Sequence, residues 1–165
     1  MLHRSRSVRA VLPAALLLIG ALAVADSAPA QTPKESLYER LGGVYPIAVV
    51  VDEFIDRLLV DDLLNANPAI AAARARVPAP GLKFHVTTMV CQATGGPCAY
   101  TGRSMKEAHA HLNINAAEWQ EMLRVFRAVL TSFNVPEKEQ GELVAIVEST
   151  RADIVMREER QLQPR

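Results

Sequence analysis

The sequence predicts an all-α domain, and three observations carry that prediction. Apolar residues recur at helical spacing over long runs. Aromatic residues make up only 5% of the chain, and β-branched alternation is rare. Proline, glycine and asparagine fall mostly between the periodic runs, where helices start and stop.

The first 30 residues stand apart from that pattern. Met1–Ala10 carries Arg4, Arg6 and Arg9 with no acid, and Val11–Ala25 is an uncharged run of about 15 residues. A bilayer span needs roughly 20. Small residues at Ala23-Val24-Ala25 and Ala28-Pro29-Ala30 fit a signal-peptidase site. Residues 1–30 therefore read as a secretory signal, with a retained anchor as the competing reading. The expected mature chain starts near Gln31, is exported to the periplasm, and keeps no stable membrane anchor. Losing the segment moves the charge balance from 18 cations against 18 acids to 15 against 17. No basic face is left for nucleic acid. Residues 31–160 suffice for one domain with a sizeable core, and 161–165 read as a disordered tail.

Ser36–Leu41 reads as a short helix closed by Gly42-Gly43, because glycine takes the left-handed conformation of a helix end. Pro46 suits a first helical turn. Ile47, Val50, Val51, Phe54, Leu58 and Leu59 then mark an amphipathic helix to about Leu64. From Asn65 to Pro80 the pattern is less regular. Asn67-Pro68 can start a turn of helix, and Pro78 and Pro80 are expected to break one. Leu82–Ala93 is the next helix, followed by glycine turns and a short helical run that carries His109 and ends at Asn113. Asn115 suits the N-cap of a long helix with Trp119, Met122, Leu123, Phe126 and Leu130 on one stripe. Val135-Pro136 breaks it. A final helix is expected from about Glu137 to Val155, burying Leu143, Ile146, Val147 and Ile154.

Beyond the signal segment the chain has three histidines, His85, His109 and His111. Met105 and His109 share a helical face, whereas His111 lies about 200° round from His109. Ala108 and Leu112 bracket the inward side with Met105, so His109 is the one expected to be buried. Such a histidine is either a hydrogen-bonded core residue or a metal ligand, and spacing alone does not choose. His85 stands beside the apolar face of Leu82, Val86 and Met89, with Phe84 next to it. Burying an imidazole without a partner costs roughly 1–3 kcal/mol, a cost that a metal, a haem propionate or water would relieve. A zinc or copper site on His109 and His111 alone has too few ligands to be strong.

Cys91 and Cys98 flank the Gly95-Gly96-Pro97 turn. They pair as a disulfide in an oxidising compartment, or they are a small core residue and a loop thiol; both readings are open here. The Cys-x-x-Cys-His signature of covalent haem attachment is absent. Tyr100 is expected to pack or to hydrogen-bond to backbone, Asp61-Asp62 to be a solvated helix-end pair, and Glu107 to have no site role.

LYERLGG at Leu37–Gly43 and VVVDEFIDRLLVDD at Val49–Asp62 resemble the opening helices of the group I truncated haemoglobins. GGPCAYTGRSMKEAHAHLNI, Gly95–Ile114, resembles their glycine turn, Tyr-x-Gly and proximal-histidine segment, and FNVP at Phe133–Pro136 resembles the break before their last helix. The likeness runs from about Ser36 to Val155. It implies a truncated globin-like two-over-two helical sandwich around haem b, with His109 as proximal iron ligand. It places His85 where some members carry a distal histidine. Leu82, Val86, Phe54, Met105 and Trp119 are the other residues expected against the haem. The implied ligands are O2, NO or CO, with a redox partner if the iron turns over.

The chain also departs from the family pattern. Ile55 follows Phe54 where a tyrosine is common, and Leu82 and Val86 hold positions that often carry glutamine. The usual Phe-Phe pair is missing, with Asn67–Ile70 near its place, and the stretch from there to Leu82 is longer. The distal side thus loses its customary hydrogen-bond donors, which decide what a haem does with its ligand. Gas binding is the function the resemblance implies. A bis-histidine electron-transfer or sensing protein, and a nitric oxide dioxygenase or peroxidase-like enzyme, are its alternatives.

Overall fold

Left-handed glycines set the first corner of the chain: Gly42 and Gly43 have φ of +86° and +88°. In the computed structural model the described residues are 34–156. The signal reading for 1–30 and the tail reading for 161–165 lie outside them. Helix α1 (Leu37–Arg40) carries a capping box of Ser36 and Glu39, and the glycines turn it into α2 (Val44–Val60). Then come α3 (Asp62–Asn65), α4 (Pro68–Arg74) and α5 (Ala79–Ala93). The remaining helices are α6 (Met105–His109), α7 (Ala116–Ser132), α8 (Glu137–Glu148) and α9 (Arg151–Ile154). Among the described residues there is no strand.

Two helix pairings build the sandwich: α2 lies against α5 and α7 against α8, and α2 also packs on α7. Each interface is a run of apolar side chains read from the helical stripes. Ile47, Val51 and Ile55 of α2 hold Leu82, Val86 and Val90 of α5. Leu37, Phe126, Leu130 and Leu143 join α1, α7 and α8, while Trp119, Leu123 and Ile154 join α7 to α9. Leu123 is fully buried, so truncation to alanine removes about 2–5 kcal/mol of stability. This is the two-over-two helical arrangement that the sequence predicts.

Four boundaries differ from the expectation, the first being that α6 ends at His109 rather than at Asn113. Helix α2 stops at Val60 because the Asp61 carboxylate accepts the Leu64 N–H at 3.0 Å and starts α3. Asp61 is therefore a cap, and only Asp62 is a solvated acid. Pro80 does not break a helix but sits inside the first turn of α5, where its missing N–H has no intrahelical duty. The final helix ends at Glu148. The hydroxyls of Ser149 and Thr150 bond back to the carbonyls of Ile146 and Val147 at 2.6 and 2.7 Å. The turn so made lets α9 drop Ile154 onto Trp119.

Between α5 and α6 the chain is tied down without regular structure. Cys91 and Cys98 form a disulfide with a Cα–Cα distance of 5.8 Å, which settles that pair. Gly95 takes φ +89°. A Cβ on Gly96 would lie 2.7 Å from Tyr38 Cε2 and 2.8 Å from the Cys91 carbonyl oxygen, so only glycine lets the two segments meet.

Candidate functional site

Helix α6 is one turn long and cannot hold itself together by propagation; capping holds it. The Ser104 hydroxyl accepts from the Glu107 N–H, and the Glu107 carboxylate accepts from the Ser104 N–H at 3.0 Å. Glu107 thus has a structural part near the site, and the Ser-x-x-Glu spacing of Ser104 and Glu107 is the sequence signal that would have found it. At the far end Asn67 of the α3–α4 junction donates through Nδ2 to the Leu112 carbonyl at 3.0 Å. Its Oδ1 caps α4 at the same time. The Asn-Pro pair signalled the cap; nothing local signalled the long-range bond.

His109 closes this helix, half-buried, with Nδ1 at 2.8 Å from the Met105 carbonyl. A carbonyl oxygen only accepts, so Nδ1 carries the proton and Nε2 holds a lone pair. Burial, above all, pushes the imidazole pKa below its ordinary value of 6.5. The bond to Met105 opposes that shift, and nearby His111 and Arg103 reinforce it. At neutral pH the ring is therefore uncharged and oriented, which is what coordination of a metal requires. His111 is exposed. Among the described residues no group of three His, Cys, Asp or Glu side chains gathers into a metal cage.

The site residues read from the sequence divide into two sets. Met105 packs on the Trp119 cluster, and Trp119 itself is only 2% exposed. Its surface is already covered by protein, with its indole N–H donating to Glu148 at 3.3 Å, so it stands behind Met105 as support. The second set lies along α2 and α5. Leu82 and Val86 are half-buried against the Ile47–Val51–Ile55 row, as is Phe54. The Phe54 ring also meets Phe126 at 5.1 Å between centroids. Lys83 of α5 pairs with both Asp52 and Asp56 of α2 at 2.7 Å, beside the apolar row that holds α5 on α2. Round the helix from Lys83, His85 is exposed and lies edge-on to Phe84 and Tyr100, at 5.7 and 6.2 Å between ring centroids.

Helix α5 rests on α2, whereas α6 rests on α9. The two histidine-bearing helices are therefore held by different partners. A neutral, oriented imidazole on one and apolar residues with a second histidine on the other fit a porphyrin iron. Apart from this, an apolar cavity of about 540 Å³ lies between α2, α7 and α8, lined by Tyr45, Val50, Val90, Phe126, Leu130 and Phe133 among others. Neither histidine lines it.

Residues 36–156 match the model of the bacterial-like globin family. The group 1 truncated hemoglobin GlbN of Synechocystis sp. is 31% identical over 118 residues, 67% of this chain and 88% of that protein. The chain belongs to the group 1 truncated haemoglobins. Among solved structures, the 2/2 hemoglobin of Synechococcus sp., in the cyanomet state with covalently attached heme, superposes with a TM-score of 0.65. It shares 26% identity with this chain, over 74% of this chain and all of that one (100%). The truncated hemoglobin of Tetrahymena pyriformis has the same fold, at TM-score 0.64 and 23% identity, covering 73% of this chain and 98% of its own. Membership of the truncated haemoglobins makes haem-based gas binding the general function of this chain.

Proposed function

We propose that this truncated haemoglobin is an exported haem b protein that holds iron through Nε2 of His109 and receives O2, NO or CO on the side of His85. The observation that carries the reading is the His109 Nδ1–Met105 bond, which leaves Nε2 as the donor. When bound, the haem supplies an iron centre with one position for a diatomic gas. The chain's own residues do the rest. Ser104, Glu107 and Asn67 fix α6 and so aim His109. Met105, backed by Trp119, and Leu82, Val86 and Phe54 provide apolar surface that excludes water. Ile55 is 3% exposed inside the α2 core, so it offers nothing polar where relatives of this type commonly place a tyrosine. His85 is then the distal side's candidate donor.

Export is supported by the signal-like segment in residues 1–30 and by a disulfide, which persists in oxidising compartments such as the periplasm. Without a membrane anchor after cleavage, the mature chain would be free there. A second reading has His85 itself take the sixth iron position, in an electron-transfer or sensing protein. Its support is the exposure of His85, which no hydrogen bond from its ring fixes among the described residues. An oxygen-consuming enzyme would need a redox partner besides.

Ultraviolet-visible spectra of the mature chain loaded with haem, ferric and ferrous, test this directly. Retention lost in His109→Ala and kept in His85→Ala supports the assignment. A low-spin ferrous spectrum that disappears in His85→Ala selects the bis-histidine form. Equal retention by His109→Ala and wild type would sink the proximal role. Mass spectrometry of periplasmic extract checks the start near Gln31; an intact N-terminus in the cytoplasm would refute export.

A further inference from the structure

We infer that the Cys91–Cys98 disulfide and Tyr100 form a restraint that holds His85 at the rim of the site and limits how often it reaches the iron. The inference rests on the reading of His85 as the distal residue.

Tyr100 is fixed from four directions. Its N–H donates to the Gln92 side chain at 2.7 Å, and its hydroxyl donates to the Arg103 carbonyl at 2.7 Å. Its ring lies over Gly102 so closely that a Cβ there would collide with it. Two residues before it, Cys98 is bonded to Cys91, itself fully buried in α5. The loop that carries Tyr100 is thereby stapled to the helix that carries His85. His85, by contrast, is exposed, and its ring contacts are the edge-on ones with Phe84 and Tyr100. Phe84 is its helix neighbour and is itself 62% exposed, so it moves with the histidine. Tyr100 is the fixed partner. A side chain held at an exposed position by one contact must give that contact up to swing inward, so the tyrosine biases it outward.

Opening the staple or removing the ring should raise the six-coordinate share of ferrous haem and slow CO binding. The expected shift is about two- to ten-fold, the weight of one edge-on ring contact. Tyr100→Phe keeps the ring and should stay close to wild type.

Two measurements test this. In the haem-free chain, the His85 imidazole proton and carbon resonances report Tyr100's ring directly. They should move in Tyr100→Leu and in the Cys91→Ser/Cys98→Ser double variant, and stay nearly in place in Tyr100→Phe. In the haem-loaded chain, ferrous spectra and stopped-flow CO binding should show more His85 ligation in the first two variants. Unmoved His85 resonances in Tyr100→Leu would overturn the restraint. So would moved resonances with an unchanged or smaller six-coordinate share. If His85→Ala leaves the haem spectrum and CO rate as in wild type, the distal reading fails, and with it the effect on gas binding. The haem-free resonances would still show whether the contact exists.

Discussion

The two histidine-bearing helices are built in opposite ways. Around His109 polar bonds fix both helix and ring: a local capping box at one end of α6, a long-range asparagine bond at the other, and a backbone carbonyl that selects the tautomer. Around His85 the helix is firmly anchored but the side chain is not. Lys83 locks α5 to α2 through Asp52 and Asp56, while the imidazole has ring contacts and no hydrogen bond of its own among the described residues. A proximal ligand must be held in one orientation and protonation state at all times. A distal residue is useful when it can yield to an incoming gas. The difference in restraint matches the different duties proposed for His109 and His85.

Replacing each histidine breaks the comparison most strongly. His109→Ala is expected to abolish specific haem retention in a transfer assay to apomyoglobin, whereas His85→Ala should retain haem and change only its coordination. Similar loss in both would mean that the two sides are equivalent. Next in size comes Gly96→Ala, in the connector that serves both sides. Its new methyl meets Tyr38 and the Cys91 carbonyl, and overpacking of this sort costs about 1–3 kcal/mol. Thermal melts of the haem-free chain should drop accordingly, and an unchanged melting temperature would show that the connector yields freely.

Smaller changes sharpen the contrast. Ser104→Ala removes a helix cap worth about 1 kcal/mol. It should speed haem loss while leaving the ferrous spectrum of the bound fraction as it was; a change in coordination instead would place the cap's influence on the distal side. The smallest effect is expected from acid. Bonds from the Ser104 hydroxyl and N–H hold the Glu107 carboxyl below its ordinary value of 4.5. Its contribution is thus fully present above about pH 4.5 and lost as pH falls through the lower folded value. Because Glu107 is exposed, only a slight acid-side weakening should appear, and Glu107→Gln should flatten it. A Glu107→Gln profile that superposes on wild type down to pH 3 would remove the carboxylate from the account.

Much of this was legible in the chain. The Asn115 cap, the Gly42-Gly43 corner and the apolar stripes of α2, α5 and α7 are local patterns, and local patterns survive without knowledge of neighbours. The inward choice of His109 over His111 followed from the helical angle between them and from Met105, Ala108 and Leu112, which mark the inward side. Trp119 shows where that reasoning stops. Its stripe position is right, but the packing of its ring on Ile154 depended on α9, which follows the turn at Ser149 and Thr150. No proline or glycine marks that bend. Pro80 misled in the other direction, because proline disrupts a helix interior but suits a first turn, and the helix start was placed three residues late.

The sequence by itself therefore determined the long helices, the sandwich they can form, the inward histidine and the family likeness, since each follows from periodicity, capping chemistry or an ordered motif within a short stretch. Only the tertiary structure decided the disulfide, the Asn67–Leu112 bond, the fixing of α5 by Lys83 and the meeting of Tyr100 with His85. The Lys83 pairs depend on how α5 lies on α2, and the others on how segments without regular structure fold back. The direction of a turn is set by close contacts between backbone and distant side chains, as at Gly96, Tyr38 and Gly102. Residue spacing does not encode those contacts.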